Sequence, residues 1–262
     1  MKELEGKVCA VTGAGSGIGK AIALACAAEG ASVAVLDING PNAQATTEAI
    51  IAQGGQAIAV SSDTASEDSV EAAATQIEER LGAAGILINN AAIFRTGPIE
   101  DFSLLEWNRM LSVNFTGYFL TCRRFARPML AAGSGVIVNV GSLSAETVVP
   151  NMGPYSAAKA AVVAMTRQMA IEWGPRGLRC NVLHPGMIET PATAAAYVDP
   201  ASRLARQKAI PLGRIGQPSD IAGAAVFLAS DRAGYVHGAE LMVDGGFGKN
   251  LIGLVPRLPG QG

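Results

Sequence analysis

The sequence has little charge for its length, and the two signs are almost balanced. Charged residues make up 16% of the 262 residues, and the formal net charge is −2 at pH 7. Proteins that bind nucleic acid neutralise its phosphates with many Lys and Arg contacts, so this composition excludes a general nucleic-acid binder. Hydrophobic residues make up 49% of the chain, and we therefore expect part of the surface to be buried between subunits.

Metal-ligating residues and disulfide patterns are also scarce. The chain has only His184 and His237, and its four cysteines, at positions 9, 26, 122 and 180, form no C-x-x-C pair. Transition-metal sites are built mainly from these two residue types, so no metal site is expected. Each cysteine lies in an apolar segment, which predicts buried, reduced thiols.

Long apolar runs are missing as well. No such run approaches the roughly 18 residues of a membrane-spanning helix. The first residues, MKELEGKV, include acidic side chains where a signal peptide has a basic and then an apolar segment. The sequence therefore predicts no membrane association and a cytoplasmic protein.

Short segments rich in β-branched residues recur along the chain, separated by Ala-rich or amphipathic stretches. They predict seven strands, at 7–13, 32–38, 56–63, 86–91, 135–142, 178–185 and 239–245. Strands that alternate with helices form βαβ units and a parallel sheet covered on both faces. The sequence thus predicts an α/β protein with a doubly wound, Rossmann-like, seven-stranded parallel sheet, in a single domain over residues 1–247.

Residues 186–216 interrupt this regular spacing. They form a long connection, with three prolines, between a strand and the next helix. Long connections in compact domains are usually binding loops or lids. We expect a substrate lid at about 187–216, and the alternative is a poorly ordered surface loop.

The first strand leads into a glycine-rich turn, TGAGSGIG, at residues 12–19. Its spacing, T-G-x-x-x-G-x-G, differs from the G-x-G-x-x-G fingerprint, but the physical principle is shared. Glycines let the backbone approach a pyrophosphate, and the start of the next helix supplies free N–H groups. The turn predicts that a dinucleotide binds at Gly13, Ser16, Gly17, Ile18 and Gly19.

Asp37 ends the second predicted strand, 18 residues after Gly19. An acidic side chain there can accept hydrogen bonds from the adenosine ribose hydroxyls. A 2′-phosphate about 5 Å from this carboxylate would cost roughly 3 kcal/mol per unit charge at an effective dielectric near 20. Neither Ser16 nor Ile38 offers a positive charge to offset that cost. We therefore predict NAD(H) rather than NADP(H) as the cofactor.

A single lysine stands in the apolar segment GPYSAAKAAVVAM, residues 153–165. Lys159 follows Tyr155 by four residues, so the two side chains share one face of a helix. An ammonium about 4 Å away stabilises a phenolate by up to about 4 kcal/mol, or about three pKa units before desolvation is counted. The pair predicts a general acid–base, and the alternative is a core tyrosine beside a lysine that reaches solvent.

Three further features favour the catalytic interpretation. Ser142 ends the fifth predicted strand, and open α/β sheets bind ligands at the carboxyl ends of their strands. Asn114 is a polar residue in an otherwise apolar helix, for which the alternative is a packing amide. The segment NNAA at 89–92 closes the fourth strand with two amides beside small residues, which suits it to line a cofactor.

Together these segments resemble the short-chain dehydrogenase/reductase family over essentially the whole chain. Six segments occur in the family's order and spacing. They are TGAGSGIG, NNAA, the strand that ends at Ser142, YSAAK, HPGMIET and VDGG. The resemblance implies a catalytic tetrad of Asn114, Ser142, Tyr155 and Lys159. Tyr155 would exchange a proton with the substrate oxygen, and Ser142 would hydrogen-bond that oxygen. Lys159 would bind the nicotinamide ribose and lower the pKa of Tyr155, and Asn114 would hold a water that links Lys159 to solvent.

The resemblance also implies cofactor contacts beyond the glycine-rich turn. They are Asp63 and Thr64 at the adenine, Asn90 at the ribose region, Tyr155 and Lys159 at the nicotinamide ribose, and Ile188 and Thr190 at the nicotinamide amide. Two residues depart from the family pattern, because Ala92 replaces a frequent Gly and His184 replaces a common Asn. Neither lies on the proposed proton route, and we expect His184 to be structural.

The expected function is reversible hydride transfer between NAD(H) and a secondary alcohol or ketone. Two alternatives stay open. A 3-oxoacyl-carrier-protein reductase is disfavoured by Asp37, since reductive synthesis generally uses NADPH. A non-catalytic nucleotide-binding module would have no need of both Tyr155 and Lys159.

The substrate pocket is expected to be largely apolar. Its predicted lining includes Ser142, Phe94, Val149, Met152 and Met187. The basic residues Arg95, Arg203, Arg206 and Lys208 lie nearby in the sequence. They could admit an anionic group, or they could simply be solvated.

The last residues, 248–262, extend beyond the family resemblance and are unusually apolar for a chain end. Disordered tails are normally polar, so we expect this tail to dock across a subunit boundary. The predicted helices at about 104–131 and 154–174 are apolar on more than one side, as in a closed homo-oligomer. The family resemblance suggests a homotetramer.

Overall fold

The computed structural model of the chain describes residues 2–250 and 252–254. Its centre is a seven-stranded sheet in which all paired neighbours are parallel. The strands are β1 (Val8–Thr12), β2 (Ser32–Asp37), β3 (Gln56–Ser61), β4 (Ile86–Asn89), β5 (Gly135–Val140), β6 (Leu178–Pro185) and β7 (Glu240–Val243). The predicted fold class is confirmed, and most strands are slightly shorter than the sequence pattern suggests.

The strands are apolar without alternation, because helices cover both faces of the sheet. All six residues of β5 are buried, as are all residues of β1 after Val8. Neighbouring residues of a strand point to opposite faces. Cys9 and Val11 therefore join one hydrophobic cluster, whereas Ala10 joins the other.

Eight α-helices in the described part of the chain surround the sheet. They are α1 (Gly17–Ala28), α2 (Gly40–Ala52), α3 (Glu67–Leu81), α4 (Leu104–Leu111), α5 (Gly117–Ala132), α6 (Tyr155–Trp173), α7 (Pro200–Ala209) and α8 (Pro218–Ala229). One face packs against α1, α2 and α8, and the other against α3, α5 and α6. No helix within residues 2–250 and 252–254 has the length and apolar character needed to cross a bilayer.

The helix starts follow from local sequence. Asn39 accepts a hydrogen bond from the N–H of Asn42 at the start of α2. Ser103 and Glu106 form a capping box at the start of α4. Such caps satisfy N–H groups that have no partner inside the helix.

The strand order β3-β2-β1-β4-β5-β6-β7 places the functional segments at one edge of the sheet. The sheet grows outward in opposite directions from β1 and β4, and ligands of such sheets bind beside the carboxyl ends of these strands. The glycine-rich turn follows β1, the NNAA segment overlaps the end of β4, and Ser142 follows β5. Residues far apart in the sequence therefore meet at this edge.

The predicted helix at 104–131 contains a π-helical turn, Ser112–Thr116, between α4 and α5. Asn114 lies in this turn and is fully buried. π-helical turns are rare and often occur at functional sites. The sequence pattern predicts one continuous helix, because an extra residue in a turn leaves no clear mark in the apolar spacing.

The long connection at 186–216, predicted to be a loop or lid, contains the helix α7. Asp199 caps this helix by accepting a hydrogen bond from Ser202, and Pro200 occupies its first turn. Tyr197, Ile210 and Ile215 form a small apolar cluster beside it. The predicted docking of the tail at 248–262 lies mostly outside the described residues.

Candidate active site

The glycine-rich turn has the backbone geometry that close approach of a pyrophosphate requires. Gly13 and Gly17 have φ of 61° and 54°, values that residues with a side chain rarely adopt. A Cβ at Gly19 would lie 2.1 Å from the carbonyl oxygen of Gly13. Asn90 Nδ2 donates to the carbonyl oxygens of Thr12 and Gly13, both at 3.1 Å. Asn90 thus holds the turn in place.

Helix α1 begins at this turn with N–H groups that no side chain caps. Ser16 is the N-cap residue, and its side chain makes no capping hydrogen bond. The first turn of α1 carries no acidic residue, so its positive dipole end is not neutralised. A Cβ at Gly17 would lie 3.4 Å from Thr190 Cβ, so the turn and the loop after β6 lie close together. These residues fit the pyrophosphate of a dinucleotide.

Asp37 is held at the end of β2 by two backbone groups. Its Oδ2 accepts from the N–H of Gly15 and its Oδ1 from the N–H of Asn39, both at 2.8 Å. A carboxylate has about four acceptor positions, so two remain for ribose hydroxyls. None of the ion pairs in the described ranges includes Asp37.

The predicted adenine residues lie after β3. Asp63 Oδ1 accepts a hydrogen bond from the N–H of Ala65 at 2.9 Å, and this bond stabilises the turn that contains both residues. Thr64 is buried beside the start of α5, where a Cβ at Gly117 would lie 3.0 Å from the Thr64 carbonyl oxygen. Both residues stand at the same edge of the sheet as Asp37.

The predicted nicotinamide residues lie in the loop after β6. Ile188 is buried, and Thr190 is half-buried. Thr193, which is not among the predicted site residues, joins them. Its Oγ1 donates to the Ile188 carbonyl oxygen at 2.7 Å and accepts from the Thr190 N–H at 2.9 Å. The T-x-x-T spacing of Thr190 and Thr193 is the sequence feature that could have predicted this contact.

Three of the four tetrad residues come together around the start of α6. Tyr155 is the first residue of that helix, and its phenol lies near the side chain of Ser142. Burial raises the pKa of Tyr155, and the neighbouring Ser142 hydroxyl offsets part of that increase. Lys159 is buried one turn further along α6, with Nζ 5.8 Å from the centroid of the Tyr155 ring.

Lys159 differs from the expectation in what it contacts. The i, i+4 spacing predicts an ammonium next to the phenol of Tyr155, where it would lower the pKa of that phenol. In the structure, Nζ donates to Tyr118 Oη and to the Val140 carbonyl oxygen, both at 2.9 Å. Burial lowers the pKa of Lys159 to about 7, because the surrounding protein solvates an ammonium less well than water does.

Asn114 anchors the loop that follows β4. Its Oδ1 accepts from the N–H of Ile93 at 2.9 Å, and its Nδ2 donates to the carbonyl oxygen of the same residue at 2.7 Å. The next residue, Phe94, meets Tyr155 edge to face, with ring centroids 6.4 Å apart. Asn114 therefore fixes the backbone beside the general acid–base candidate.

The predicted substrate side of the site is apolar and partly exposed. The N–H of Tyr155 donates to the carbonyl oxygen of Met152 at 3.1 Å, which places Met152 beside the phenol-bearing residue. Phe94 and Val149 are 44% and 41% exposed. Met187 packs on the apolar cluster of the 186–216 connection. These exposed apolar side chains leave a surface that a ligand can cover.

Two of the arginines considered for an anionic substrate are paired with carboxylates. Arg95 Nη1 lies 2.9 Å from Glu106 Oε2, and its guanidinium stacks on the Phe102 ring at 4.8 Å. Arg203 binds Glu189 through two hydrogen bonds of 2.8 Å. The bidentate pair is the stronger geometry for an arginine, so Glu189 occupies one edge of the Arg203 guanidinium, whereas Arg95 makes a single contact with its carboxylate.

His184, expected to be structural, lies directly behind the candidate catalytic serine. It is fully buried, with Nδ1 3.1 Å from the nitrogen and 2.8 Å from the carbonyl oxygen of Ser142. Its Nε2 lies 3.3 Å from Glu240 Oε2. A Cβ at Gly141 would lie 2.6 Å from Nδ1, so this approach requires glycine. The histidine thus supports the Ser142 backbone.

The fold and the site together define an oxidoreductase that uses a nicotinamide cofactor. The features that define it are the parallel sheet, the glycine-rich turn before the uncapped start of α1, and the cluster of Ser142, Tyr155 and Lys159. The turn fits a dinucleotide, and the buried phenol can exchange a proton with an alcohol or ketone oxygen. Comparison with known proteins points to the same class.

A family model described as "Enoyl-(Acyl carrier protein) reductase" matches residues 13–248. D-threitol dehydrogenase of Mycolicibacterium smegmatis is 41% identical over 93% of this chain and 94% of that protein. 3beta-hydroxysteroid dehydrogenase 1 of Eggerthella lenta is 39% identical, with 93% and 94% covered. The crystal structure of a gluconate 5-dehydrogenase from Burkholderia cenocepacia in complex with NADP and tartrate matches with a TM-score of 0.90 at 36% identity, over 94% of this chain and 97% of that one.

The chain belongs to the short-chain dehydrogenase/reductase family, as the resemblance of its motifs predicted. It is an NAD(P)-dependent oxidoreductase that acts on alcohols.

Proposed function

We propose that this protein is an NAD⁺-dependent dehydrogenase of neutral secondary alcohols that also reduces the corresponding ketones. The observation that carries the proposal is the Asp37 carboxylate. Two backbone N–H groups hold it at the end of β2, and no cation in the described residues pairs with it. Such a group accepts ribose hydroxyls and repels a 2′-phosphate.

The four tetrad residues divide the work of alcohol oxidation. Tyr155 takes the proton from the substrate hydroxyl, and Ser142 hydrogen-bonds the same oxygen and orients it. Lys159 binds the nicotinamide ribose and stabilises the phenolate by its charge. Asn114 fixes the loop of Phe94 against Tyr155. The glycine-rich turn, Asp37 and Lys159 would hold the nicotinamide cofactor, which would supply the hydride acceptor for alcohol oxidation and the hydride donor for ketone reduction.

A neutral substrate fits the walls of the site. Phe94, Val149, Met152 and Met187 present apolar surface, and Arg95 and Arg203 are already paired. Two of the related proteins, by their names, act on threitol, which is a neutral alcohol, and on a hydroxysteroid. The segment at 187–216, with its exposed apolar side chains, would cover the substrate as a lid.

We expect kcat/KM to be at least about tenfold higher for cyclohexanol than for 4-hydroxycyclohexanecarboxylate. Burying the unpaired carboxylate costs at least about 1.4 kcal/mol, which is a factor of ten. The methyl ester of the same acid is the matched control, since it is larger but uncharged and should be oxidised well. Formation of NADH gives the rates. Faster oxidation of the carboxylate than of the ester would show that the site selects an anion.

The description of the matching family model favours one second candidate, a reductase of carrier-protein thioesters. The same assay separates the two. A reductase of this kind would reduce the double bond of crotonyl thioesters, or the keto group of acetoacetyl thioesters, with NADPH faster than it oxidises cyclohexanol with NAD⁺.

We further propose that the protein is a homotetramer. Leu104 and Leu105 on α4 are 73% and 79% exposed, and Ile171 on α6 is 74% exposed. Phe119 on α5 is 44% exposed. Apolar side chains of this size on neighbouring helices are characteristic of subunit contacts. The tail at 248–262 would dock across the same assembly.

Sedimentation should give the mass of four chains of 26.8 kDa each. Phe119→Glu should reduce the assembly to smaller species, whereas Ile51→Glu, at an exposed position of α2, should leave it intact. Deleting residues 250–262 should loosen the assembly or lower Tm. A monomeric native protein at micromolar concentration would contradict the proposal.

A further inference from the structure

Lys159 is buried without a carboxylate partner. It is 1% exposed, and none of the ion pairs in residues 2–250 and 252–254 includes it. Burial lowers its pKa to about 7. A lysine that acts as a cation at neutral pH needs other groups to stabilise the ammonium, because a buried charge has lost its water.

Those groups are the side chain of Tyr118 on α5 and the end of β5. Lys159 Nζ donates to Tyr118 Oη and to the Val140 carbonyl oxygen, both at 2.9 Å, and Tyr118 Oη donates to the same carbonyl oxygen at 3.0 Å. The three polar groups therefore form a closed triangle. Nζ also lies 4.5 Å from the centroid of the Tyr118 ring, within the range of a cation–π interaction.

Tyr118 takes part in this triangle as a neutral group. It is 1% exposed, and burial raises its pKa well above the ordinary value, so the hydroxyl stays protonated. The carboxylate on the surrounding elements is Glu172, which lies 13 residues beyond Lys159 on α6. The titratable side chains that interact with Tyr118 are Cys122 on α5 and Tyr155 on α6. Neither is a carboxylate, and burial raises the pKa of the Cys122 thiol. No anion from these elements replaces the contribution of Tyr118.

We propose that Tyr118 is a positioning residue for catalysis, which holds Lys159 in the site and favours its ammonium form. The proposal rests on the proposed roles of Tyr155 and Lys159. The productive pair is a Tyr155 phenolate beside a Lys159 ammonium, and the competing pair is a neutral tyrosine beside a neutral lysine. These two protonation states of the pair contain the same total number of protons. A change of pH therefore cannot separate them, and the two residues titrate as one coupled pair. Each contact that stabilises the ammonium increases the fraction of the protein that has a Tyr155 phenolate beside a Lys159 ammonium.

Tyr118→Phe is the direct test, because it keeps the ring and removes the hydroxyl. We expect the high-pH plateau of kcat/KM for alcohol oxidation to fall about tenfold or more, as for loss of a hydrogen bond to a charged group. The rates on the low-pH limb should stay the same. At low pH, Lys159 is protonated in both proteins, and the rate depends only on how readily Tyr155 loses its proton beside that ammonium. The substitution does not change this property of Tyr155. The apparent pKa of the rising limb should therefore move to lower pH.

The profile is measured with saturating NAD⁺ and a secondary alcohol for the native protein, Tyr118→Phe and Tyr235→Phe. Tyr235 is fully exposed, so its variant loses the same hydroxyl away from the site and should retain the native profile. The ratio of plateau to low-pH rate within one preparation does not depend on the fraction that is folded. Tyr118→Met, with a more adaptable side chain, gives the same ratio if Tyr118→Phe does not fold.

An equal loss at low and high pH would show that Tyr118 only packs against the site, and unchanged rates would show that it has no role. Either result overturns the proposal. Failure of the proposed function gives a different result, since the native protein itself would then show no NAD⁺-dependent alcohol oxidation.

Discussion

Replacing Tyr155 by phenylalanine should lower kcat at least about a hundredfold, because a general acid–base contributes about that factor or more. Phenylalanine keeps the ring that meets Phe94 edge to face but cannot exchange a proton with the substrate oxygen. Ser142 and the glycine-rich turn remain in place. NADH should therefore still bind, and titration of its fluorescence can be compared with the steady-state rates.

The exposed Tyr235 supplies a matched control for this variant as well, since Tyr235→Phe should retain native turnover. Near-native kcat in Tyr155→Phe would contradict the tetrad. Loss of both turnover and NADH binding would show instead that the ring hydroxyl organises the cofactor site.

The native protein should prefer NAD⁺ to NADP⁺ by a factor of about 100 in kcat/KM. A phosphate charge about 5 Å from the Asp37 carboxylate costs roughly 3 kcal/mol, and each 1.4 kcal/mol is a factor of ten. A related gluconate 5-dehydrogenase was solved with NADP, so the cofactor does not follow from the family alone. A native preference for NADP⁺ would refute the argument from Asp37.

The variant Asp37→Asn distinguishes the effect of the negative charge on cofactor choice from the effect of the side chain on the local structure. The amide keeps the size of the side chain and an oxygen that can accept from the N–H of Gly15, but it removes the negative charge. We expect the preference for NAD⁺ to fall most of the way to parity while Tm changes little. Asp37→Asn combined with Ile38→Arg should reverse the preference, since arginine pairs with phosphate. An unchanged preference in both variants would place selectivity elsewhere.

The sequence by itself determined the sheet, the turn and the tyrosine–lysine pair. Continuous apolar runs predicted buried parallel strands, because a strand covered on both faces has no polar side. Glycine spacing predicted the turn, and i, i+4 spacing put Tyr155 and Lys159 on one helical face. Each of these features depends on residues that are close in the chain, so local geometry is sufficient to predict them.

Tertiary structure alone decided what surrounds those residues. Tyr118 is 41 positions from Lys159, His184 is 42 from Ser142, and Asn114 is 21 from Ile93. Neither Tyr118 nor His184 stands in a pattern that predicts its partner, since the pairing depends on the order of the strands and the packing of α5 against β5. The protonation of Lys159 follows from this packing, because burial and hydrogen-bond partners set the pKa of an ammonium, and no local pattern in the chain specifies either.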